Sequence, residues 1–167
     1  MAVLGVLLVS WMIFRVLGFL GVRMFNSWRD SARFALALML LFTAAAHFTS
    51  MKADLVRMVP AWVPAPDAIV FFTGLCEIAG AIGLIVPYFT RPAAISLIVF
   101  FLAVLPANIN AVRTGATLRG RPATSLMLRI PMQILFIVIA GWIAATDNRS
   151  KPIRRPLAST TSEGFGT

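Results

Sequence analysis

The stretch DAIVFFTGLCEIAGAIGLIVPYF, residues 67–89, decides what kind of protein this is. From Ala68 to Phe89 only Glu77 carries a formal charge, and the run is long enough to cross a bilayer as a helix. At 100° per residue, Thr73, Cys76, Gly80 and Gly83 share one face, with Glu77 at its edge. Phe71, Leu75, Ile78, Ile82 and Ile85 lie opposite, and Gly74 is the exception on that side. A small-residue face admits a neighbouring helix, while large apolar residues meet lipid. Glu77 is therefore expected to face a helix bundle near mid-depth, where a partner or water can satisfy it.

Four more windows qualify as spans: 2–22, 32–50, 93–113 and 125–146. The first is interrupted by Arg15 and reads either as a spanning helix or as a tilted interfacial anchor. It has no basic n-region and no A-x-A site, so it is not expected to be a cleaved signal peptide. The whole chain agrees: of 167 residues, 59% are hydrophobic and 13% charged, with mean hydropathy +0.88. A soluble fold of this size has too little interior for that much apolar surface, so the expected class is all-α membrane. The expected organisation is an extra membrane helix with its connection over 1–31, a four-helix bundle over 32–146, and a basic, disordered tail over 147–167.

There are 15 Lys and Arg against 6 Asp and Glu. They fall mostly between apolar windows, which points to topology and anionic lipid rather than nucleic acid. With five spans the connections and tail divide eight to five, favouring a cytoplasmic C-terminus. The connection MKADLVRMVPAWVPAP, 51–66, aligns Met51, Leu55 and Met58 on one helical face before Pro60, Pro64 and Pro66, with Trp62 suited to the water–lipid boundary. It reads as an interfacial flap. The lone Cys76 cannot form an internal disulfide and reads as a helix-packing residue.

Other spans also carry polar residues. His47 stands near the end of 32–50, and Asn108 follows Pro106 in LPANIN. Arg129 and Gln133, four apart in LRIPMQ, share a face, whereas Asn110 is about 200° round from Asn108. In this topology Arg129, Gln133 and Glu77 lie about 6, 12 and 15 Å below the outer surface. The expected object is one polar pocket in the outer half of the bundle, with His47, Glu77, Asn108, Arg129 and Gln133 as ligand-binding residues. Each has a structural alternative: His47 and Arg129 could snorkel, Asn108 could cap backbone freed by Pro106, and Gln133 could be interhelical glue. For Glu77 the alternative is an ion pair or hydrogen bond with Arg129 or His47. One His and one Cys are poor supply for a metal, and no P-loop, GxGxxG or Ser–His–Asp set is apparent.

AAAHF at 44–48, VPAWVP at 59–64, GLCEIAGAIGLIVP at 74–87, RPAA at 91–94, FLAVLPANIN at 101–110 and LRIPMQ at 128–133 together resemble the DoxX-like family of small four-helix membrane proteins. The resemblance covers about residues 32–146; the first span is an addition, and Arg15 matches no family motif. It implies a four-helix membrane bundle in the bacterial plasma membrane. Its implications for activity are diffuse: the membrane subunit of a thiosulfate:quinone oxidoreductase, redox stress in the envelope, and an assembly chaperone for an ion-channel receptor all occur among relatives. The residues matching its polar pattern are the same five.

Two functions follow as expectations. In one, the bundle binds a small lipid-soluble molecule of the quinone class, as the membrane part of a redox system; His47 and Arg129 polarise a carbonyl oxygen and Glu77 accepts or relays a proton. The chain has no evident electron carrier, so electrons would come from another protein. In the other, it is a non-catalytic accessory or assembly subunit of a larger membrane complex, with Glu77 as a structural lock. Whether any reaction is catalysed stays open, and a transporter is a weaker third possibility because no inverted repeat is visible.

Overall fold

The computed structural model describes residues 2–115, 117–118, 121–122 and 126–146. Six helices run in chain order: α1 (Ala2–Phe19), α2 (Trp28–His47), α3 (Lys52–Met58), α4 (Pro66–Ile85), α5 (Thr90–Arg113) and α6 (Leu126–Thr146). A 3-10 turn, Arg23–Phe25, precedes α2, and a two-residue antiparallel pairing of Thr117–Leu118 with Arg121–Pro122 lies between α5 and α6. The expected tail and Arg119 lie outside the described residues.

Four helices, α1, α4, α5 and α6, are each long and apolar enough to cross a membrane, and α2 with α3 makes a fifth if that bent pair is one span. Among the described residues the protein is all-helical apart from that short pairing, with the make-up of a multi-pass membrane protein. α2, expected as a clear span, qualifies only together with α3. Arg29, Asp30 and Arg33 lower the hydropathy of its first turns, and much of the rest packs against protein, although Leu38, Leu41 and Phe42 are exposed. Ala32, Ala35, Leu36, Ala37, Met39, Leu40 and Ala44 are all buried, and the helix packs extensively on α1 and α4 and also touches α6.

α2 begins at Trp28, four residues ahead of the expected window. Ser27 caps it: its hydroxyl accepts from the Asp30 amide at 2.9 Å and donates to the Asp30 carboxylate at 2.7 Å. Arg33, counted with the connection before this span in the eight-to-five division, is inside the helix. α1 ends at Phe19, so Arg15 is one turn from the end of its helix and not at mid-membrane. It donates to the Asn26 carbonyl at 3.0 Å and stacks 4.0 Å from the Phe19 ring centroid, as a cation near a helix end does. α1 is part of the bundle: Leu7 is fully buried, and Trp11 meets Trp28 and Trp142 at 6.3 Å each.

On α4 the expected lipid stripe is present, since Phe71, Leu75, Ile82 and Ile85 are exposed, while Ile78 is half-buried. Gly74 is not an exception but a second contact. A Cβ on Gly74 would stand 2.6 Å from His47 Cβ on α2, and one on Gly83 2.6 Å from Ala93 Cβ on α5. α4 packs along both α2 and α5, so it needs small residues on two sides.

Candidate functional site

α2 stops at His47, and α3 turns away at 94°. This bend lays α3 over the end of the bundle with Met58 buried beneath it, as the apolar face of 51–58 requires. It also turns His47 inward. His47 Nδ1 is 2.7 Å from the Val70 carbonyl oxygen, and a carbonyl only accepts, so Nδ1 carries the hydrogen. Nε2 then faces Glu77 Oε2 at 3.7 Å, with the two side chains only 13% and 12% exposed. Snorkelling is excluded for this histidine. The separation is an ion-pair distance, too long for a hydrogen bond, and Glu77 Oε2 has no hydrogen-bond partner among the described residues. Thr43 is a neighbour of the carboxyl. The Thr73 hydroxyl donates to Val70 O at 2.9 Å and lies 3.3 Å from His47 Nδ1.

The other three expected residues meet between α5 and α6. Arg129 Nη1 donates to Asn108 Oδ1 at 2.9 Å, and Asn108 Nδ2 donates to Gln133 Oε1 at 3.4 Å. Gln133 Nε2 donates to the Phe101 carbonyl at 2.6 Å. Gln133 thus caps the Phe101 carbonyl, one residue before the Leu102 carbonyl that Pro106 leaves without its helical donor. The shared face of Arg129 and Gln133 is as expected, since both reach Asn108.

The five residues accordingly stand as two sets: His47 with Glu77 between α2 and α4, and Asn108 with Arg129 and Gln133 between α5 and α6. Glu77's acid–base partner is His47, and Arg129's oxygen partner is Asn108. The sequence argument assigned depth along each helix but not which helices adjoin, and so not which of these residues bond to one another. Among the clefts that open, one of about 240 Å³ is lined by Pro60, Trp62, Pro106, Ile109, Asn110 and Arg113, and one of about 410 Å³ lies between α4 and α5. None of the five lines either cleft.

A third polar group was missed. Arg33 is 5% exposed and donates from Nη1 to Thr90 Oγ1 at 3.1 Å; Thr90 is fully buried. Arg33 Nη2 is 3.7 Å from Asp30. The Ser-x-x-Asp spacing at 27–30 was the available signal, because a cap there draws Arg33 into the helix. Asn110, set aside as pointing away from Asn108, also has a partner: its Nδ2 donates to the Met58 carbonyl at 3.0 Å, tying α5 to the end of α3. Among the described residues no three His, Cys, Asp or Glu side chains gather as metal ligands would.

No curated protein and no solved structure matches the chain. A family model does match residues 36–144, more than half of the chain, running from Leu36 in α2 to Ala144 in α6 and leaving α1 outside. Both the His47–Glu77 pair and the Asn108–Arg129–Gln133 set fall within the matched stretch, and the chain belongs to that family, a domain of unknown function (DUF8561).

Proposed function

We propose that the protein is a DoxX-like bundle of the bacterial plasma membrane, with its C-terminus cytoplasmic. It binds a small lipid-soluble molecule of the quinone class as the membrane part of a redox system. The orientation rests on the eight-to-five division of basic residues. The observation that carries the functional reading is the orphaned Glu77 Oε2 facing His47 Nε2. With Nδ1–H held by the Val70 carbonyl, Nε2 is the ring nitrogen left to face the carboxyl, 3.7 Å away. Such a pair can give a proton to a ligand carbonyl oxygen or take one from a hydroxyl. A buried oxygen without a partner is also costly, by about 1–3 kcal/mol, and a ligand hydroxyl would offset that. In this reading Asn108, Arg129 and Gln133 form a separate station beside Pro106, where Arg129 presents its charge. A partner protein supplies the electrons.

The test is Glu77→Gln in the full chain, with quinone binding followed by quenching of the four tryptophans. Weaker binding by the folded variant is expected; unchanged affinity removes Glu77 from the site. The accessory-subunit reading is favoured by the direct packing of His47 on Glu77 and by the absence of all five residues from both clefts. Copurification from native membrane separates the two: a stoichiometric protein partner without bound quinone supports the accessory role.

A further inference from the structure

α5 has 24 residues, about 36 Å at 1.5 Å per residue, against a hydrocarbon core of about 30 Å. The helix is long enough to carry its last turn, which ends in the exposed Arg113, to headgroup level beside the segment that follows α3. There Pro60, Trp62, Pro106, Ile109, Asn110 and Arg113 enclose the cleft of about 240 Å³. The bond from Asn110 Nδ2 to the Met58 carbonyl holds the α3 side against α5 and orients the amide. The acceptor oxygen of that amide is then available to a ligand. Arg113 is exposed and makes no hydrogen bond or ion pair among the described residues. Trp62 is 76% exposed, and its indole suits the boundary between water and lipid.

A full positive charge, an indole N–H and an amide oxygen thus converge on a space walled by two prolines and an isoleucine. The fitting ligand is anionic, carries a hydroxyl, and continues into an apolar part. The volume is below the roughly 300–1,000 Å³ of sites for whole drug-sized molecules, so it suits a headgroup and not a ring with its tail. The end of α5 carries partial negative charge, but an incoming anion meets the guanidinium first. We propose that this cleft binds the phosphodiester headgroup of an anionic phospholipid. The phosphate sits on Arg113, a headgroup hydroxyl donates to Asn110 Oδ1, and the acyl chains run down α5 in the surrounding lipid. The site is separate from His47 and Glu77.

The full chain, purified in neutral detergent, is titrated with phosphatidylglycerol or phosphatidylcholine, and bound lipid is counted by native mass spectrometry. Wild type is expected to hold phosphatidylglycerol about fivefold more tightly, the effect of one basic residue at a lipid surface. Arg113→Gln should lower it to the phosphatidylcholine level. Arg57→Gln, which removes an exposed charge already paired with Asp54 at 3.3 Å, should leave it unchanged. Trp62→Leu should also weaken binding, which covers a failure of the arginine variant to fold. Equal retention of the two lipids by wild type, or equal loss in the Arg57 and Arg113 variants, overturns the proposal. So does displacement of the lipid by millimolar glycerol phosphate, which would assign the cleft to a soluble anion.

Discussion

Replacing Gly74 by alanine tests the contact on which the His47–Glu77 pair depends. A Cβ at position 74 would stand 2.6 Å from His47 Cβ and 3.0 Å from both His47 Cγ and Phe48 Cε2. Ordinary carbon contacts lie near 3.5–4.0 Å, and His47 Cβ is fixed to the backbone, so relief requires the end of α2 to move by about 1 Å. Overpacking of this kind costs about 1–3 kcal/mol. Opposing it, alanine is the better helix former by about 1 kcal/mol. The net expectation is destabilisation by about 1 kcal/mol, together with a displaced His47 ring. Gly5→Ala in α1 isolates the second effect, because nothing lies within 4 Å of a Cβ there. That variant should be stabilised by up to about 1 kcal/mol. Unfolding in mixed micelles with increasing SDS, followed by tryptophan fluorescence, measures the difference, expected at about 2 kcal/mol. If Gly74→Ala stabilises the protein as much as Gly5→Ala does, α2 and α4 do not approach this closely and the geometry assigned to His47 is wrong.

Two further outcomes are expected. Thr90→Val keeps the shape but removes the oxygen that accepts from Arg33 at 3.1 Å; loss of a hydrogen bond to a charged group should destabilise by about 1.5–3 kcal/mol. Thr146→Val, at an exposed hydroxyl bonded only to its own helix, should be near neutral in the same unfolding assay; equal effects would mean Arg33 does not depend on Thr90. Asn110→Ala removes the bond to the Met58 carbonyl, and hydrogen exchange should quicken in α3 while α4 and α5 keep their protection. Unchanged exchange across 52–58 would show that α3 is held by its apolar contacts alone.

Much of the bundle was legible because membrane spans are announced locally. A helix in lipid satisfies its own backbone, so length and hydropathy suffice to place α1, α4, α5 and α6 within a few residues. α2 is the instructive departure: its first turns carry Arg29, Asp30 and Arg33, and alanines on its buried face let neighbouring helices close in. Its start lies four residues before the expected window because the Ser27 hydroxyl caps the helix through the Asp30 amide.

The amino-acid order by itself determined the helical membrane class, the lipid-facing stripe of Phe71, Leu75, Ile82 and Ile85, the shared face of Arg129 and Gln133, and the apolar face of the α3 segment. Each of these depends on periodicity within a single element. Only the tertiary structure decided that His47 answers Glu77, that Arg129 answers Asn108, and that Arg33 reaches Thr90 across 57 positions. A buried polar group requires a partner, but its own helix does not specify which neighbour will supply it. That choice is made by close packing, where Gly74 and Gly83 let α2 and α5 approach α4 from two sides.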